Sequence, residues 1–338
     1  MGRTYLDWNA TAPLRPEARA AMAEGFDLIG NPSSVHAEGR AAKMALERAR
    51  ETVAEAFGCR GEEVIFTSGA TEAAGVLAGF AAVEVEPTAH DCLMAHAKGA
   101  GQAGAILALG LANSETGVMA DVPQRSGVLL DVVQAVGRVP FAFGWSGAEM
   151  AILSAHKLGG PKGVGALILR DGVEAASLRP GGGQEKGRRS GTENLAGIMG
   201  FAAAFRAAGR DLEAGVWERV RALRARFEAR VLDAAPGTMI AGAAQKRLPN
   251  TTCLGTPGWK GETQVMQMDL AGFAVSAGSA CSSGKVRASR VLAAMGFDEV
   301  AAGSAIRVSL GPTTTEDEVM RFADCWLAHQ ARFCAKAA

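Results

Sequence analysis

Val64-Ile-Phe-Thr67-Ser-Gly-Ala-Thr-Glu72 is a short, mostly apolar run that stops in small polar residues and leads into an alanine-rich stretch. The same grammar recurs at Ala105–Leu109, Gly127–Leu130, Met150–Leu153 and Val164–Leu169. Apolar runs of four to six residues bounded by turn signals predict buried strands of the parallel kind. Their alternation with helical patterns predicts an α/β layer architecture. Further on, Leu212, Val216, Val220, Leu223, Phe227 and Val231 fall at helical spacing, with Pro236-Gly237 just beyond. This predicts one amphipathic helix bridging to a smaller α+β region, with strands near Thr251–Leu254, Ala274–Ser276 and Ala305–Leu310 and a closing helix from about Glu316.

The 338 residues allow one large domain or two ordinary ones. Thirty-five basic and 35 acidic residues balance, which argues against a nucleic-acid or membrane-surface role driven by bulk charge. No apolar run reaches membrane-spanning length, and the start at Met1-Gly-Arg-Thr-Tyr5 lacks the apolar stretch of a signal peptide. The six cysteines form no CxxC pair, so neither a disulfide framework, nor a zinc site, nor any other metal centre is expected. A cytoplasmic location is the natural expectation.

Four constellations carry chemistry. Thr67–Glu72, between strand and helix, offers backbone N–H groups and hydroxyls to an anion such as phosphate, though it reads equally as an ordinary helix start. Lys157, in Ser154-Ala-His-Lys157-Leu-Gly-Gly, follows a buried strand among small residues and suits Schiff-base chemistry, although a loop lysine is more often solvated. Asp131, in Val128-Leu-Leu-Asp131-Val-Val-Gln134, precedes Lys157 by 26 residues, about one βα unit. That spacing can bring both to one sheet edge, where ligands of open α/β sheets bind. An acid for a pyridine nitrogen, a Schiff-base lysine and a phosphate cradle together describe a pyridoxal phosphate site. The fourth is Cys281, within Ser276-Ala-Gly-Ser-Ala-Cys281-Ser-Ser-Gly284. It has little apolar packing around it, and Lys285 and Arg287 nearby favour thiolate.

With these residues in view, the chain resembles the cysteine desulfurases of the NifS/IscS type, in the class-V aminotransferase group of fold-type I pyridoxal phosphate enzymes. The resemblance runs from Tyr5-Leu-Asp-Trp-Asn-Ala-Thr-Ala-Pro13 through Gly30-Asn-Pro-Ser-Ser34, Ser68–Glu72, Asn113-Ser-Glu-Thr-Gly117, Ser154–Lys157, Arg189-Ser-Gly-Thr192 and Ser279-Ala-Cys-Ser-Ser283 to Ile306-Arg-Val-Ser-Leu-Gly311. It implies a seven-stranded-type, mainly parallel sheet, shortened here, in a large cofactor-binding domain over residues 12–215. A small domain over 1–11 and 216–338 would carry the cysteine loop.

It also implies roles. Lys157 would carry the cofactor and shuttle the proton. Asp131 would pair with the pyridinium, His90 would stack on the ring, and Gln134 would touch the phenolic oxygen. Gly69, Ala70, Thr71, Ser154 and His156 would hold the phosphate, with Thr192 reaching in from the second subunit of a homodimer. Arg307 would clamp the substrate carboxylate, with Asn113 beside it. Cys281 would take sulfur from L-cysteine as a persulfide, leave L-alanine, and pass the sulfur to an acceptor protein; iron–sulfur scaffolds are among those the family serves. A selenocysteine lyase or other class-V enzyme, and a low-activity scaffold that needs a partner, are the competing readings.

Two departures stand out. Ser114 replaces the asparagine that approaches the phenolic oxygen in the family, and its shorter hydroxyl would still donate to the cofactor there. His90 and Ser114 are only 24 positions apart, too few for the further strand and helix that family members carry there. This shortening is expected to leave apolar sheet surface exposed.

Overall fold

In chain order the elements are β1 (Thr4–Tyr5), α1 (Pro16–Phe26), α2 (Ala37–Phe57), β2 (Val64–Thr67), α3 (Ala70–Ala74), β3 (Val83–Val85), α4 (Asp91–Met94), β4 (Ile106–Gly110), β5 (Val128–Asp131), β6 (Met150–Ser154), β7 (Gly165–Leu169), α5 (Leu195–Glu213) and α6 (Val216–Ala234). They continue with β8 (Met239–Ile240), β9 (Thr251–Gly255), α7 (Gly261–Leu270), β10 (Phe273–Ala274), β11 (Ser276–Ala277), α8 (Arg290–Ala294), α9 (Glu299–Gly303), β12 (Ala305–Ser309) and α10 (Glu316–Ala337). This is a computed structural model, and it describes residues 2–277 and 288–337; Cys281 lies outside the described residues.

The contacts divide the chain into two units. One comprises Ala12–Ala112 and Ala120–Ala214, the other Met1–Thr11, Asn113–Met119 and Gly215–Ala338. The segment 113–119 thus leaves the large domain expected over 12–215. It is tied to residues 246–248, where Met119 N–H donates to the Lys246 carbonyl and Leu248 N–H to that of Gly117.

The first unit is built on a sheet of order β2-β7-β6-β5-β4-β3. The neighbours from β3 to β6 are parallel, and β7 runs against both β6 and β2. Residues of β2, β6 and β7 are buried throughout, as continuous apolar runs predict for strands covered on both faces. Six strands are described, as the shortened seven-stranded type implied, and β3 is an edge of the sheet. That edge does not expose apolar sheet surface, as the shortening had suggested. Val83 and Ile106 are buried with Cys92 and Leu93 of α4. The outer side of Val83 is closed by a two-way backbone bridge to Lys98, with N···O distances of 2.7 and 3.0 Å.

The second unit pairs β11-β12-β9-β8 with a helix layer. Trp217, Val220, Leu223, Phe227 and Val231 of α6 are buried, and Phe227 meets Phe322 of α10 at 5.7 Å between ring centroids. Thr315 and Glu318 form a capping box at the start of α10. The long helix expected to include Leu212 is broken at Gly215, whose φ of 70° is left-handed. Leu212 therefore ends α5 instead of starting α6.

Gly209 lies inside α5 beside a small apolar cavity of about 50 Å³ bounded by Phe57, Phe141, Phe205 and Leu212. A Cβ at Gly209 would meet no atom within 4 Å. Gly209→Ala is therefore expected to stabilise the protein by about 1 kcal/mol through helix propensity. A denaturant midpoint that stays put or falls would contradict this.

Candidate active site

The register lines up the strand ends that matter. Thr67 and Ser154 both pair with Gly165, and Asp131 pairs with Gly110 and Ile152. Because β2, β4, β5 and β6 run in one direction, their carboxyl ends share one edge of the sheet. At Gly165 a Cβ would come within 2.6 Å of Gly69 Cα, so only glycine lets the chain after β2 cross here. A Cβ at Gly69 itself would meet only the Ser154 hydroxyl, at 4.0 Å. A recess therefore remains between the Ser154 Oγ and the start of α3, where Ala70 and Thr71 sit.

Glu72 holds this turn. It accepts from Ser68 N–H at 2.6 Å and pairs with Arg189 at 3.1 Å and Arg179 at 3.2 Å. Burial opposes its ionisation, but Arg189 and the Ser68 hydrogen bond prevail and lower its pKa to about 2.

Asp131 ends β5 and accepts from Val133 N–H at 2.9 Å. Burial pushes its pKa up, while the Val133 N–H bond, and after it the nearby His90 and Lys157, pull it down. His90 Nδ1 accepts from Cys92 N–H at 3.1 Å at the start of α4, which puts the proton of the neutral ring on Nε2.

His156 is half-buried, and burial together with Lys157 and Lys162 lowers its pKa to about 4. The unfolded chain thus binds a proton near pH 6.5 that the folded chain takes up only near 4. Stability is expected to fall as pH drops through that window. His156→Gln should flatten this limb of a denaturant midpoint-versus-pH curve, and an unchanged slope would refute the assignment.

Gln134 is buried, and its Oε1 accepts from Arg138 Nη1 at 2.7 Å. Arg138 Nη2 also donates to the carbonyl of Lys157, at 3.2 Å. The sequence reading missed Arg138, although its place four residues after Gln134 was a usable signal. Thr192 is exposed, on the loop after Arg189.

In the other unit, Arg307 is 5% exposed on β12. Its Nη2 donates to Asp7 Oδ1 at 2.7 Å and its Nη1 to the Ser114 carbonyl at 3.2 Å. Its buried Nε has no hydrogen-bond partner among the described residues. Ser114 thus meets Arg307 through its backbone; the expectation concerned its side chain. Asn113 Oδ1 accepts from the N–H groups of Glu115 and Thr116, both at 2.9 Å, so that oxygen is committed to the turn and not to a substrate. Burial pushes the thiols of Cys59 and Cys253 up to about 12, which makes both poor nucleophiles at neutral pH.

Among the described residues no group of three or more His, Cys, Asp or Glu side chains could hold a metal ion. No helix is long and apolar enough to cross a membrane.

The residues fit pyridoxal phosphate. A recess lined by a buried serine hydroxyl suits a phosphate, and a desolvated carboxylate suits a protonated pyridine nitrogen. A lysine lies within electrostatic reach of that carboxylate.

The class-V aminotransferase profile matches residues 4–97 and 94–322. A cysteine desulfurase of Cereibacter sphaeroides is 39% identical, over 95% of this chain and 94% of its own. That alignment spans 369 residues, longer than the chain, so the relative carries internal stretches absent here. A cysteine desulfurase of Enterobacter agglomerans is 36% identical, over 94% of this chain and 90% of its own. The solved structure of a NifS-like protein from Rickettsia africae superposes with a TM-score of 0.88 at 28% identity, covering 96% of this chain and 98% of that one.

Proposed function

The chain belongs to the class-V aminotransferase family and is a cysteine desulfurase, and from this premise we propose that Lys157, Asp131, His90 and Gln134 bind and use pyridoxal phosphate while Cys281 receives the sulfur. The observation that carries the reading is the shared carboxyl edge of β2, β5 and β6, where Thr67, Asp131 and Ser154 come together just ahead of Lys157.

When bound, the cofactor supplies an electron sink for the pair left as the substrate Cα–H bond breaks. The Lys157 amine takes that proton and returns it later in the cycle. Asp131 keeps the pyridine nitrogen protonated. His90, its ring oriented by the Cys92 N–H, would stack on the pyridine ring. Ser154, His156, Thr71 and the Gly69-Ala70 backbone hold the phosphate. Arg307 takes the substrate carboxylate, with its orphaned Nε as one donor of the fork.

The Cys281 thiolate attacks the sulfur of L-cysteine. A sulfur–sulfur bond forms as the carbon–sulfur bond breaks, the electron pair goes to carbon, and protonation leads to L-alanine. The Cys281 persulfide then passes its sulfur to an acceptor protein, an iron–sulfur scaffold in our reading, or to a thiol reductant. Thr192, exposed in one chain, is assigned to the phosphate of a second subunit in a homodimer, and the protein to the cytoplasm.

The test is L-alanine released from L-cysteine by the pyridoxal phosphate-loaded protein with thiol reductant. Alanine is expected in many-fold excess over enzyme, and Cys281→Ala is expected to lower the rate at least a hundredfold. Wild-type turnover by that variant would remove Cys281 from the mechanism. Absence of alanine from cofactor-loaded wild type would favour the scaffold reading.

A further inference from the structure

Arg138 is 4% exposed, yet it belongs to neither the phosphate recess nor the carboxylate clamp. Bonds from it reach two residues that the proposed function uses: the side chain of Gln134 at 2.7 Å and the main chain of Lys157 at 3.2 Å. A guanidinium only donates, so the face of the Gln134 carboxamide turned toward it must be the oxygen. That settles an orientation a carboxamide does not otherwise declare, and turns its NH₂ the opposite way. The second bond ties the same guanidinium to the backbone that carries the reactive amine.

We propose that Arg138 is a positioning residue of the desulfurase reaction. It locks Gln134 so that an N–H, and not the carbonyl oxygen, is presented to the phenolic oxygen of the cofactor, and it fixes the Lys157 main chain relative to that donor. This rests on the reading above in which Gln134 meets the cofactor. Without Arg138 the carboxamide can turn over and set its oxygen against an oxygen anion. The arginine therefore supports the ionised phenolic oxygen without touching it.

The test follows the visible absorption of holoenzyme loaded with pyridoxal 5′-phosphate across pH, in wild type, Arg138→Met, Arg138→Lys, Gln134→Ala and the double variant Arg138→Met/Gln134→Ala. A donor to the phenolic oxygen stabilises the deprotonated form. Its loss in Arg138→Met should move the titration midpoint up by about one pH unit, the scale of one charge-assisted hydrogen bond. Gln134→Ala should give a similar shift, and the double variant should shift no further than either single change, because both remove one interaction. Arg138→Lys, which retains one donor toward Gln134, should restore most of the wild-type midpoint.

An unshifted midpoint in Arg138→Met, or additive shifts in the double variant, overturns the proposal. If Arg138→Met does not fold, a wild-type midpoint in Gln134→Ala overturns it equally. A wild-type protein that shows no visible band with pyridoxal phosphate instead overturns the functional reading beneath it.

Discussion

Lys157→Ala is expected to cut alanine release from L-cysteine by about ten-thousand-fold, the upper end of what a positioned acid–base group contributes, because the same amine also anchors the cofactor. The loss should fall on turnover and not on folding. Lys157 is half-buried at the close of a short turn, and the bond it receives from Arg138 falls on its main-chain carbonyl, which alanine retains. The phosphate recess at Ser154 and Gly69 is untouched by the change. The variant should therefore still take up pyridoxal phosphate and unfold at nearly the wild-type denaturant concentration. Turnover within tenfold of wild type would mean that another group moves the proton.

The second large effect concerns stability. Arg50 and Glu185 form a bidentate pair at 2.7 and 2.9 Å, with side chains 6% and 2% exposed. Glu185 Oε2 also accepts from Phe66 N–H, and Arg50 donates to the Val64 carbonyl and lies over the Phe66 ring. The pair thus pins a loop to β2. Within that loop Glu185 and Lys186 adopt left-handed backbone angles, φ 48° and 55°, which non-glycine residues avoid. Glu185→Ala leaves a buried guanidinium with only the half-exposed Glu47 as ionic partner and orphans the Phe66 N–H. The expected cost is about 3–5 kcal/mol, read as a lower urea midpoint at unchanged slope. Replacing both partners, as Arg50→Met/Glu185→Met, should recover much of the loss, since no charge then remains buried alone. A single variant as stable as wild type would show that the pair contributes only geometry.

What the sequence disclosed and what it hid divide along the range of the interactions. Asp131 and Lys157 were legible because the first ends a continuous apolar run and the second follows one closely, and one βα spacing of parallel strands brings such ends to the same edge. The starts of β6 and β12 were legible for the same local reason, and their ends to within one residue. The break before α6 was hidden because Leu212 continues the four-residue spacing across Gly215, and periodicity does not register a left-handed residue. Arg50 and Glu185 lie 135 positions apart, and neither carries a local sign of its partner. The exchange of Asn113–Met119 into the other unit is invisible for a related reason. It depends on backbone bonds to residues 246–248, which every sequence can make. Asn113 itself matched a family motif, but its oxygen serves the turn, a use that a motif match does not report.

The Lys98 bridge at the outer margin of β3 has a consequence for how this chain could change. A sheet shortened by one strand has an open row of amides and carbonyls that a neighbouring molecule's strand can copy onto, the route by which soluble proteins become templates for fibres. At Val83 that row is already filled by the chain's own backbone, and the lysine side chain is anchored by a 3.0 Å bond to the Ala78 carbonyl. Shortness and sealing therefore go together: the same sheet without such a bridge would offer Val83 to self-association. The reverse holds for regrowth. The loop after Lys98 is exposed and rich in glycine, so it can accept inserted residues. An inserted strand could join the sheet only by first evicting Lys98, and this margin is in that sense locked against elaboration.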